Sequence, residues 1–136
     1  MEERSDTLTL PVKDLSDASP LAVAEEVVRI LDRRKAKDIR LLHVTEKTVI
    51  ADYFVLCHGT SNTQVRGLSG EVEYRLGLDG VYPTRIEGED SAAWIVLDYA
   101  SVLVHIFQSD SRQFYDLDRL WSQAEAVDLS YLLTED

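Results

Sequence analysis

Apolar positions change period several times along these 136 residues, and each change marks an element. Residues 1–18 mix Asp, Ser and Thr with little periodicity, so they are expected to form a flexible N-terminal arm with at most a short extended piece at Leu8 to Val12. Order begins at Ser19-Pro20, a helix opening with Ser as the cap and Pro in the first turn. Ala24, Val27, Val28 and Leu31 then follow at helical spacing, and the helix is expected to end near Lys37. A strand from Ile39 to Val44 leads through polar Glu46 and Lys47 to a longer strand from Val49 to Cys57. The continuous apolar run after Asp52 suits the interior of a sheet.

Gly59 and Thr60 break that run, and Ser61-Asn62-Thr63-Gln64 matches a capping box. The helix it starts carries Val65, Leu68, Val72 and Leu76 on one face and stops at Asp79-Gly80. A strand near Tyr82 to Glu87 and an acidic loop, Glu87-Gly88-Glu89-Asp90-Ser91, come next. The β-branched and aromatic run from Trp94 to Phe107 reads as two strands joined by a turn at Asp98 to Ser101. Ser109-Asp110-Ser111 should cap a last helix through Phe114, Leu117, Leu120 and Trp121. The order implies an α/β domain over residues 19–122, a mixed sheet of about five strands flanked by helices. Residues 123–136 form an acidic C-terminal tail, whose Val127, Leu129, Tyr131, Leu132 and Leu133 leave open whether it docks or stays loose.

Charge narrows the partners. Fourteen basic against 25 acidic residues give a net charge of −11, which repels phosphate backbones and favours a basic partner. The basic cluster Arg33, Arg34, Lys35 and Lys37 is therefore read as a solvated helix end that complements the dipole, ahead of an RNA contact. A single cysteine, no long apolar run and an acidic start without a signal pattern are expected of a soluble, cytoplasmic protein.

No catalytic constellation stands out. Cys57 and His58 are neighbours on a strand and point to opposite faces, and no two histidines share a helical turn, so no metal ligand set is expected. Cys57 as a nucleophile has no specific support and reads as a small core residue. Glu71 and Glu73 diverge on a helix, unlike the paired carboxylates of a two-metal site. Gly59-Thr60-Ser61 could hold an anion at the helix start, the basis of an alternative reading as a nucleotide-binding or nucleotidyltransferase-like enzyme. The cap is the better account of Ser61.

Several motifs occur in unbroken order between about residues 20 and 122: Lys35-Ala36-Lys37-Asp38-Ile39, Ala51-Asp52-Tyr53-Phe54-Val55-Leu56-Cys57, Gly59-Thr60-Ser61, Gln64-Val65, Glu87-Gly88, Trp94-Ile95-Val96-Leu97-Asp98-Tyr99, Val104-His105-Ile106-Phe107, Arg112 with Phe114-Tyr115, and Leu120-Trp121. As an ordered set they closely resemble the ribosomal silencing factor, or Iojap, family. The resemblance implies a nucleotidyltransferase-like fold without transferase activity or cofactor. It also implies binding to large-subunit ribosomal protein fourteen, which blocks joining of the small and large subunits and represses translation when nutrients run short. It allows a homodimer. Carried over by motif, Trp94, Asp98 and Tyr99 are the expected contact residues, with Glu87, Glu89 and Asp90 as an acidic rim. Two departures bear on this site: His58 precedes Gly-Thr where a small or hydroxyl residue is usual, and Ala100-Ser101 replaces the family's usual Gly-Asp.

Overall fold

Two parallel strands form the middle of the molecule, a computed structural model that describes residues 10–134. β2 (Tyr53–Gly59) and β5 (Val102–Gln108) pair over seven positions, from Tyr53 with Val102 to Gly59 with Gln108. Parallel neighbours need a crossover, and here it is α2 (Asn62–Leu78), β3 (Arg85–Glu87) and β4 (Trp94–Asp98). β4 joins β5 antiparallel on one side and β3 lies outside it. On the other side β1 (Lys37–His43) flanks β2 and a two-residue strand β6 (Glu125–Ala126) closes the edge, giving the order β3-β4-β5-β2-β1-β6. The sixth strand comes from the acidic tail.

The alternation of the strands separates two apolar layers. One register row, Leu41, Val55, Val104, Leu97 and Ile86, runs across five strands beneath α1 (Pro20–Arg33) and α2. α1 contributes Val27, Val28 and Leu31 to this layer, and α2 contributes Val65, Leu68, Val72 and Leu76. The opposite face has a smaller cluster around Leu42, Phe54, Leu56 and Phe107, covered by α3 (Ser109–Tyr115) and α4 (Leu117–Leu120) through Leu117 and Trp121.

Four expectations change. α1 stops at Arg33, short of Lys37, because Lys35 takes a left-handed backbone (φ 67°) and Ala36 N–H closes the end on Leu31 C=O. Lys37 is then already in β1, and Arg34 pairs with Glu71 of α2 at 3.0 Å. The strand expected from Val49 begins at Tyr53, leaving Val49 and Ile50 exposed in a loop. The last helix is broken in two at Asp116 (φ 54°), and no side chain caps its start.

The fourth change concerns the chain ends. Leu10 is buried, Lys13 reaches the buried Glu26 of α1 at 3.0 Å, and its backbone N–H donates to Asp79 at 3.0 Å. Leu8 lies outside the described residues. At the other end Leu129 and Leu132 enter the layer beneath the helices, so packing extends beyond residues 19–122 on both sides. Truncating Leu132 to Ala should cost about 2 kcal/mol in urea unfolding, the lower end for a buried leucine because a chain end can collapse around the gap. A cost near zero would mean that the tail does not hold its place in solution.

Candidate functional site

β4 is the strand on which the expected contact residues lie, and the pleat decides what each can touch. Ile95, Leu97 and Tyr99 point under the helices and are buried. Trp94, Val96 and Asp98 point to the opposite face and are half-buried. β3 adds Glu87 beside Val96 and Arg85 beside Asp98, so Trp94, Asp98 and Glu87 share one open face.

Tyr99 does not join them, which corrects the expectation that it faces a partner. It is 7 % exposed and packs in the core, and its hydroxyl has no hydrogen-bond partner among the described residues. Burial, followed by the Glu73 carboxylate, pushes its phenol well above the usual range.

Trp94 is half-buried and held by three neighbouring rings. Its indole N–H donates to His105 Nδ1 at 3.2 Å, and its ring lies against Phe107 and Tyr115, with centroids 5.0 and 4.7 Å away. His105 is itself buried, edge-on to Phe54 at 5.0 Å, and its Nε2 has no partner among the described residues. Burial pushes this imidazole down to about 4, so at neutral pH it is the uncharged acceptor that Trp94 needs. Neither His105 nor Tyr115 was anticipated as a support for Trp94. Val96 opposite His105 was a legible pairing, but only once the turn at Asp98 had fixed the register.

That turn is tightly bonded. Asp98 Oδ1 accepts from Ala100 N–H at 2.8 Å, Tyr99 N–H donates to Val102 C=O at 2.9 Å, and Ser101 C=O accepts from the N–H groups of Asp52 and Tyr53 at 2.8 and 3.0 Å. Asp98 also sits 3.5 Å from Arg85, which is equally near Glu87. Ser101 works here through its backbone. Ala100 carries the strain, since its φ of 68° is a region that glycine enters freely and alanine does not.

The rest of the acidic rim lies beside Trp94. Glu87, Glu89 and Asp90 are exposed, and the carbonyls of Glu89 and Asp90 accept hydrogen bonds from Arg66 of α2. Gly88 (φ 91°) fixes the loop against β4: a Cβ there would come within 2.0 Å of Trp94 C=O.

At the far ends of β2 and β5 the polar groups are engaged internally. Arg112 donates to both Asp118 oxygens at 3.0 Å, to Asp38 C=O at 2.8 Å and to His58 Nδ1 at 3.0 Å, tying α3 and α4 to β1 and β2. Thr60 N–H and Oγ1 both donate to Gln64 Oε1, at 2.7 and 3.2 Å, while Ser61 Oγ accepts from Gln64 N–H at 3.1 Å. The capping box thus closes on Thr60 rather than Ser61, and the donor an anion would seek is occupied. Cys57 is fully buried, with its thiol pushed up to about 12 by burial, and His58 points to the other face. Among the described residues no group of three or more His, Cys, Asp or Glu could hold a metal ion, and no helix is long and apolar enough to cross a membrane.

Comparison with known proteins agrees with the motif order. The family model for "ribosomal silencing factor during starvation" matches residues 17–136. Ribosomal silencing factor RsfS of Bacillus subtilis is 36% identical over 100 residues, covering 74% of this chain and 85% of that protein. The mouse protein named "mitochondrial assembly of ribosomal large subunit protein 1" is 30% identical, covering 71% of this chain and 43% of its own. Among solved structures, a protein of Chromobacterium violaceum superposes with a TM-score of 0.74 at 29% identity, over 76% of this chain and 87% of that one.

Two outcomes follow from the geometry. Because the folded-state value of His105 lies below the ordinary 6.5, the unfolded chain binds its proton first: its contribution is intact above pH 6.5 and is lost as pH falls toward 4. Wild type should lose about 3 kcal/mol over that interval that His105→Gln does not lose, measured by urea unfolding at each pH. For the turn, relief of left-handed strain outweighs the added chain entropy, so Ala100→Gly should gain about 0.5 kcal/mol; a loss of stability would show that Ala100 is not strained.

Proposed function

The chain belongs to the ribosomal silencing factor family, and from that premise we propose that it docks on the large ribosomal subunit through ribosomal protein fourteen, where its bulk keeps the small subunit from joining. It acts in the cytoplasm by occupying a surface, with no chemical step, and represses translation when nutrients are scarce. The observation that carries this reading is the face of β4 and β3: a half-buried indole fixed by a hydrogen bond and two neighbouring rings, beside the carboxylates of Asp98, Glu87, Glu89 and Asp90. An aromatic ring fixed in place gains contact area at little entropic cost, and exposed carboxylates draw in a basic protein before contact is made. A net charge of −11 suits a basic ribosomal protein better than exposed rRNA. Within this reading Tyr99 supports the contact from behind, by filling the core under the turn that aims Asp98.

Light scattering of purified subunits mixed with the protein should show a reduced yield of joined ribosomes; joining that proceeds unchanged would refute silencing by exclusion. Trp94→Ala should weaken co-sedimentation with large subunits by at least tenfold, an interface anchor being worth about 2 kcal/mol, while the far-ultraviolet circular dichroism stays that of the wild type.

A further inference from the structure

The break in the last helix lies beside exposed apolar side chains. α3 and α4 meet at Asp116, whose left-handed backbone turns the chain, and the apolar side chains beside this bend face solvent: Phe114 is 80 % and Leu120 71 % exposed. With Tyr115 and Arg119 they line a groove of about 570 Å³. Arg112 holds the bend rigidly, since its two bonds to Asp118 join α3 to α4 while its others fasten both to the sheet. The apolar surface is therefore presented on a fixed support, with little of the ordering cost that a mobile patch would add to binding.

The groove is continuous with the face already described. Phe114 meets Tyr115 edge-on at 5.0 Å, Tyr115 lies on Trp94 at 4.7 Å, and Trp94 on Phe107 at 5.0 Å. One chain of rings thus runs from the sheet interior to the groove. Asp110 and Asp116 lie on the same segment, and Asp98, Glu87 and Glu89 lie beyond Trp94. The net charge of −11 draws in a basic occupant, and the test below separates that occupant from a second copy of this chain.

Resting on the reading of Trp94 as a ribosomal contact, we propose that the Phe114–Leu120 groove is a second anchor of the same interface. It receives an apolar side chain from a basic segment of the large-subunit protein, with a lysine or arginine of that segment against Asp116. Trp94 and the groove then bind as one bipartite surface, so the loss of either leaves residual affinity with the other intact.

The test is titration of isolated large subunits with wild type, Trp94→Ala, Phe114→Ser and the double variant Phe114→Ser/Leu120→Ser, read by co-sedimentation. Both substituted side chains are exposed, so the variants keep the wild-type circular dichroism, and sedimentation equilibrium follows self-association in parallel. The double variant should bind at least tenfold more weakly than wild type. Wild-type affinity in the double variant overturns the groove while leaving the Trp94 reading intact; failure of wild type itself to bind overturns the reading on which the groove rests. A double variant that loses only self-association assigns the groove to a second copy and also overturns the proposal.

Discussion

The parallel pairing of β2 with β5 is the constraint from which the other positions follow. Neither strand can reach the other by a tight turn, so 42 residues, 60–101, leave the end of β2 and return to the start of β5. That excursion lays α2 over one face and then adds β4 and β3 beyond β5. The exit ends of the two strands, Gly59 and Gln108, lie side by side, so α2 and α3 begin next to each other on opposite faces. Arg112 can therefore reach Asp38 of β1 and His58 of β2 from the first turns of α3. Had β2 and β5 been joined as a hairpin, neither the clamp nor the support it gives Tyr115 would exist.

The order of elements was legible because apolar period and caps carry it. Ser19 and Ser61 cap the helices they were expected to cap, and the Trp94 to Phe107 run is a hairpin. Three kinds of feature were not legible, each for a physical reason. Helix ends depended on residues in a left-handed backbone, Lys35 and Asp116, which are neither Gly nor Asn and so carry no local signal. The strand β6 is two residues long and exists only because β1 offers an unpaired edge. Burial at the chain ends reflects long-range partners: Arg75 donates to Leu10 C=O, and Leu129 and Leu132 fill space left beside α1, none of which a local window can register.

The sequence placed the expected contact residues on one strand but not on its two faces. Trp94, Asp98 and Tyr99 are close in sequence and of the types that interfaces favour, but 94 and 98 share parity on the strand and 99 does not. A single step of register therefore separates the half-buried face from the core. Phe114 and Leu120 were expected on the apolar stripe of the last helix, yet both are exposed, and Tyr115, itself half-exposed, is the one that lies against Trp94. The acidic rim needed no such inference, since loop carboxylates with no buried partner remain in water.

His105 shows how the two faces of this sheet differ in what they tolerate. On the helix-covered face every inward position of β5 is Val or Ile, and a polar ring there would have no acceptor or donor to meet. On the opposite face the same strand carries a histidine, buried by Phe54, Phe107 and Trp94, with one ring nitrogen bonded and the other unmet. A phenylalanine would pack more cheaply but could not accept a hydrogen bond from an indole. Leaving one buried nitrogen unpaired costs on the order of 1–3 kcal/mol. What it secures is the direction of the Trp94 ring, whose N–H edge points inward to His105. The helix-covered layer bears a similar cost at the unpaired Tyr99 hydroxyl, but there no hydrogen bond fixes a neighbouring ring in return.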